Sequence, residues 1–128
     1  MDRIDAKIKN SLSLALIGDA VESLWLRQNF VERGDLNVNI ITKRINKIVN
    51  AGAQAESLEL IKGNLTSDEL DVIKRARNTH THSTAKNYSV IEYRHATAFE
   101  ALLGYLYLTC QHDRIEKIMQ TVKSHFDF

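Results

Sequence analysis

The sequence contains no proline. Average usage is about 5%, so several would be expected. Proline interrupts helix interiors, so its absence fits a chain built mainly of helices without proving it. Cysteine is almost missing as well, with Cys110 standing alone. That excludes an intramolecular disulfide and a zinc site made from several thiolates, and it favours a reducing compartment. Long hydrophobic runs are also lacking. The most apolar stretch, residues 96–110, carries Glu100 and falls short of the roughly 20 residues a membrane span needs. It reads as a buried core helix. The first ten residues mix Asp2, Arg3, Asp5, Lys7 and Lys9, with no apolar segment of the kind a secretory signal requires. The expectation is a cytoplasmic protein with no membrane partner.

Net charge is small, +1 at pH 7, but it is unevenly placed. Residues 36–55 hold Lys43, Arg44 and Lys47 and no acid. Residues 72–99 hold Lys74, Arg75, Arg77, Lys86 and Arg94, with Glu92 the only acid, and His80, His82 and His95 lie in the same window. Two basic windows on a near-neutral chain suggest a one-sided footprint for a polyanion. The plainer alternative is two solvated helix faces. With 128 residues, 44% of them hydrophobic and 26% charged, the chain suits a single globular domain over residues 1–128.

The apolar spacing predicts an all-α fold. A first helix runs from about residue 11 to 33 and ends at Gly34. Leu12, Leu14, Leu16, Val21, Leu24, Trp25 and Leu26 make it apolar over most of its circumference, so a central, buried position is expected. Asn37 or Asn39 can cap a second segment through Ile41, Ile45, Ile48 and Val49, ending near Gly63 and Asn64. Thr66 and Glu69 form a capping box for a third helix that fades near Asn78. Residues 78–89 are polar and read as a loop; a fourth helix spans about 92–109 and a fifth about 113–125.

Three acids stand out. Asp19 lies in the most apolar helix, on the face shared by Leu12, Ala15, Leu16 and Leu26. A carboxylate there is costly unless it is paired or bound to a cation. Glu22 follows one turn later and would repel it. Glu100 is the only charged residue of residues 97–110, and Gly104 one turn on permits close approach of another helix. Ion pairs with Arg27 or Arg94 would be the structural explanation. If the two helices pack side by side, the carboxylates converge. Oxygen ligands with open positions suit Mg²⁺ or Mn²⁺, and acids holding such a cation beside basic surface suit phosphodiester hydrolysis.

The segment Leu14-Ala15-Leu16-Ile17-Gly18-Asp19-Ala20-Val21-Glu22 resembles the signature helix of the ribonuclease III family. The segment from Ala98 through Phe99-Glu100-Ala101-Leu102-Leu103-Gly104 to Leu108 resembles its second signature. Ala51-Gly52-Ala53-Gln54-Ala55, Arg75-Ala76-Arg77-Asn78, Lys86-Asn87 and the run from Tyr93 to Glu100 are similar to the Mini-ribonuclease III branch, which lacks a double-stranded-RNA-binding domain. Ala15 and Thr97 stand where ordinary ribonuclease III has further acids, as in that branch. Ala85 departs from the proline usual there.

The resemblance implies a helical bundle of about five to seven helices acting as a homodimer. It implies an endoribonuclease that cuts double-stranded RNA with Mg²⁺, for which Mn²⁺ can substitute, leaving 5′-phosphate and 3′-hydroxyl ends. Asp19 and Glu100 would be catalytic and metal-holding, with Glu22 a further candidate ligand. Lys74, Arg75, Arg77, Asn78, His80, His82, Lys86, Asn87 and Arg94 would contact RNA through phosphates and 2′-hydroxyls. The branch is associated with maturing the 23S ribosomal RNA precursor, with a ribosomal protein as a candidate to present the RNA. The competing expectations are a non-catalytic module that binds structured RNA or assists ribosome assembly, and a helical dimerisation or adaptor module.

Overall fold

The computed structural model describes residues 1–34, 36–79 and 89–127. Every regular element among them is helical. The order is α1 (Arg3–Lys7), α2 (Ser11–Arg33), α3 (Val38–Asn46), α4 (Ala51–Ile61), α5 (Ser67–Arg77), α6 (Val90–Leu108) and α7 (His112–Phe126), with a 3₁₀ turn at Lys62–Asn64. The all-α expectation holds, although α1 carried no sequence signal that was read.

Local chemistry sets the boundaries. The Asn10 side chain accepts from the Leu12 and Ser13 amides at 2.8 and 3.3 Å and starts α2. Gly34 ends it in the left-handed region at φ 76°, where glycine carries no Cβ penalty. Asn37 caps α3 through the Ile40 amide at 3.0 Å. The expected single segment after it is in fact two helices. Asn50 folds its side chain onto the Ala53 amide at 2.9 Å, so a second N-terminus begins where apolar periodicity alone reads straight through. The capping box of Thr66 and Glu69 is present. A second one, Ser89 with Glu92, starts α6 earlier than the apolar pattern indicates.

α6 is the central helix. Ala98, Phe99, Ala101, Leu102, Leu103 and Leu106 along it are fully buried. α2, α4 and α5 pack around it, and α7 closes the remaining side. Glu69 is buried in this core, but Arg114 of α7 neutralises it with two bonds of 2.9 and 3.0 Å.

The α2–α6 contact is the closest in the molecule in one specific sense. A Cβ on Gly18 would overlap the backbone carbonyl of Glu100, and a Cβ on Gly104 would overlap the backbone carbonyl of Leu14. The residue order runs forward on one helix and backward on the other, so the two cross antiparallel. Each glycine faces the other helix's main chain, one turn from the next contact.

This crossing corrects the expectation for α2. Its buried stripe is Leu14, Gly18, Glu22, Leu26 and Phe30, at four-residue steps. Leu12, Leu16, Leu24 and Val31 are exposed, Leu16 by 73%. Within one chain the face toward α6 is the one chiefly covered, with smaller contacts to α3 and α5. The helix is therefore not buried all round.

Gly18→Ala and Gly104→Ala are each expected to lose at least about 2 kcal/mol, or roughly 7 °C in thermal unfolding, because backbone and not side chain must move. Gly63→Ala, with nothing within 4 Å of the added carbon, is expected to change stability by under about 1 kcal/mol. Thermal melts of the three variants check the contrast.

Candidate active site

The crossing decides where the three acids fall. Glu22 lies four residues after Gly18, on the stripe turned toward α6, and its side chain is fully buried. Asp19 lies one residue after Gly18 and is rotated to the rim, where it is exposed. The expected burial of Asp19 is thus reversed: Glu22 carries the desolvation. Glu100 is half-buried on the facing turn of α6, and its carboxyl hydrogen-bonds the Asp19 carboxylate. The two signature acids do meet.

None of the three acids has a cationic partner among the described residues. Arg27 and Arg94 do not pair with Glu100. What holds Glu22 is Gln54 of α4, whose Nε2 donates to Oε1 at 2.9 Å. Its second oxygen, Oε2, is buried with no hydrogen-bond partner. Asn50 sets Gln54 in place by capping α4 four residues earlier. Gln54 escaped notice as a site residue. Its signal was a lone polar side chain among Ala51, Ala53 and Ala55 in a segment packed for close contact.

The electrostatic consequence is strong. Burial, then the hydrogen bond and charge of Asp19, then the charge of Glu22, push the Glu100 carboxyl up to about 8. Burial, opposed by the Gln54 hydrogen bond and reinforced by the Asp19 charge, pushes Glu22 up to about 7. Without a cation, Glu22 and Glu100 both hold their protons more tightly than a free carboxyl does. Sites that need positive charge show this pattern.

The arrangement fits a divalent cation. The donors facing outward are carboxylate oxygens, the chemistry preferred by Mg²⁺ and Mn²⁺. The negative charge lacks compensation, and one buried oxygen is unsatisfied. Both observations fit. Among the described residues no three His, Cys, Asp or Glu side chains converge as a ready-made cage. The outward pair is Asp19 and Glu100, with Glu22 behind it. Mg²⁺ tolerates such a sparse protein set because it keeps several waters.

Of the three acids only Asp19 is exposed; Glu100 is half-buried and Glu22 buried. Two cavities of about 430 Å³ lie elsewhere, one lined by Arg114, Lys117 and Thr121, the other by Arg44, Lys47 and Phe126.

The basic residues are less uniform. Lys74 and Arg77 are exposed at the end of α5, Asn78 is its C-cap, and Arg94 is half-exposed near the start of α6. Arg75 instead donates from Nη1 to the Lys7 carbonyl at 2.9 Å, while Lys7 bonds Asp68 and Asp71 at 2.9 and 3.2 Å. Arg75 therefore fastens α1 to α5. His80, His82, Lys86 and Asn87 lie outside the described residues.

Residues 12–111 match the model of the ribonuclease III domain. The chain belongs to the ribonuclease III family. It is 45% identical over 116 residues to the Mini-ribonuclease 3 of Brevibacillus brevis, covering 91% of this chain and 87% of that protein. It is 41% identical over 120 residues to a Mini-ribonuclease 3-like protein of Ilyobacter polytropus, covering 94% of each. A crystal structure of a protein from Fusobacterium nucleatum superposes with a TM-score of 0.83 at 31% identity, covering 91% of this chain and 96% of that one. The expected family and fold are borne out, and membership of the ribonuclease III family makes the chain an endoribonuclease by class.

The raised carboxyls make a pH prediction for this ribonuclease III domain. An acid whose folded pKa lies above its unfolded value stabilises below the unfolded pKa, and that contribution is lost as pH rises through the folded one. With a chelator present, stability is expected to fall between pH 5.5 and pH 8.5, and Glu22→Gln to fall less, by about 1 kcal/mol or a few degrees. Parallel pH melts of parent and variant, showing equal slopes, would refute the assignment.

Proposed function

We propose that this protein is a divalent-metal-dependent endoribonuclease that cuts double-stranded RNA as a homodimer. The observation that carries the reading is the meeting of Asp19 and Glu100 across the glycine crossing, with no cation to compensate them. Asp19 and Glu100 would hold the metal, Mg²⁺ with Mn²⁺ able to substitute, and Glu22 would add negative charge from behind. The bound cation supplies an activated water and offsets charge developing on the phosphate and the leaving oxygen.

The residues themselves do the rest. Glu100 keeps a proton in the absence of metal, so ligation requires its release and should weaken as pH falls. A duplex would be read by shape in its wide minor groove. Lys74, Arg77, Asn78 and Arg94 would carry phosphate and 2′-hydroxyl contacts, joined by His80, His82, Lys86 and Asn87. Arg75 would contribute its charge while holding α1.

The exposed stripe of Leu12, Leu16 and Leu24 on α2 supports dimerisation, since a run of large apolar side chains on an exposed helix face marks an interface. Two copies of the acid pair would then serve the two strands. No helix among the described residues is long and apolar enough to cross a membrane. The family resemblance extends the proposal to a cytoplasmic enzyme that matures the 23S ribosomal RNA precursor, with a ribosomal protein as the partner that presents the RNA.

Asp19→Asn is expected to reduce Mg²⁺-dependent cleavage of a long RNA duplex by about a thousandfold or more, with binding of the duplex retained. Gel analysis of parent and variant, with and without Mg²⁺, measures it. A parent that binds duplex but never cuts it in Mg²⁺ or Mn²⁺ would favour a non-catalytic RNA-binding module.

A further inference from the structure

Three carboxyl groups packed without a cation raise a mechanical question. Something must hold them in one arrangement, because mutual repulsion favours dispersal. Asp19 is exposed at the rim. Glu100 is half-buried. The one rigid member is Glu22, fully buried and bonded to Gln54 at 2.9 Å.

Gln54 is itself buried, 5% exposed, and comes from a third helix. Its backbone N–H donates to the Asn50 carbonyl at 2.9 Å. One turn on, Ser57 is fully buried and bonds only its own helix, at the Ala53 carbonyl. Gln54 alone among the buried polar residues of α4 reaches across to α2. A carboxylate can only accept, so the Gln54 face turned to Glu22 must be its NH₂. That group has two N–H bonds, and one goes to Glu22 at 2.9 Å.

We propose that Gln54 is a positioning residue of the cleavage site. Its carboxamide, fixed on α4, holds the Glu22 carboxyl in one orientation behind Asp19 and Glu100, and so sets the layer against which those two bind the cation. The inference rests on the reading of Asp19 and Glu100 as the metal-holding pair. Partners that orient metal ligands commonly matter tenfold to a hundredfold in metal affinity or activity. The unpartnered Oε2 of Glu22 is the independent sign that this inner layer is built toward the site.

The test titrates the full-length protein with Mn²⁺ and follows the loss of the free-ion electron paramagnetic resonance signal. Gln54→Met keeps the length and removes the donors. It is expected to raise the Mn²⁺ dissociation constant about tenfold or more, and to lower kcat on an RNA duplex by a similar factor with KM unchanged within about twofold. Gln54→Asn, which draws the amide back, should share the defect and serves if the first variant does not fold. Ser57→Ala is the packing control and should leave the Mn²⁺ constant unchanged. The proposal is overturned if folded Gln54 variants bind Mn²⁺ like the parent, or if Ser57→Ala loses as much. If the parent binds Mn²⁺ but does not cut duplex, the reading as an RNA-cutting enzyme fails, while the Mn²⁺ comparison still decides the role of Gln54.

Discussion

The structure depends on one contact: two helices touching backbone to backbone through Gly18 and Gly104. Any side chain at either position would drive them apart. The contact places Asp19 and Glu100 within hydrogen-bond reach, since each acid adjoins or faces a crossing glycine. It also forces Glu22, one turn after Gly18, into the core. Position in the crossing, not local apolarity, decides which acid is buried and which is presented.

Burial and mutual charge then act together. Removing two carboxyls from water and setting a third beside them disfavours ionisation, and among the described residues no arginine or lysine relieves it. The contrast with Glu69 is instructive, for that buried acid is matched by Arg114 with two hydrogen bonds. A core that supplies a cation for one acid and none for three others has divided structural from chemical duty. The stability forgone at the acid cluster is a cost commonly met at functional sites.

Much of this was legible in the sequence. Helix ends marked by side-chain chemistry, such as Gly34, Asn37 and the box of Thr66 and Glu69, lie where capping rules place them. The pairing of Asp19 with Glu100 followed from one acid at the centre of each apolar helix. The rest was hidden for physical reasons. Apolar periodicity runs through the break before Asn50, because the cap that creates the break is polar and local. The facing of α2 was misread because it carries two apolar stripes, and a sequence does not say which one its own chain covers. Gln54 stood in the family-like stretch Ala51-Gly52-Ala53-Gln54-Ala55, but its role was not legible there, since it depends on a residue 32 positions away.

The central claim is that the crossing builds a divalent-cation site from Asp19 and Glu100. Crystals soaked in Mn²⁺ and measured at the manganese absorption edge test it directly. The account predicts an anomalous peak bound by carboxylate oxygens of both residues, with Glu22 and Gln54 behind it. A peak bound by neither, or no peak at saturating Mn²⁺, would contradict it.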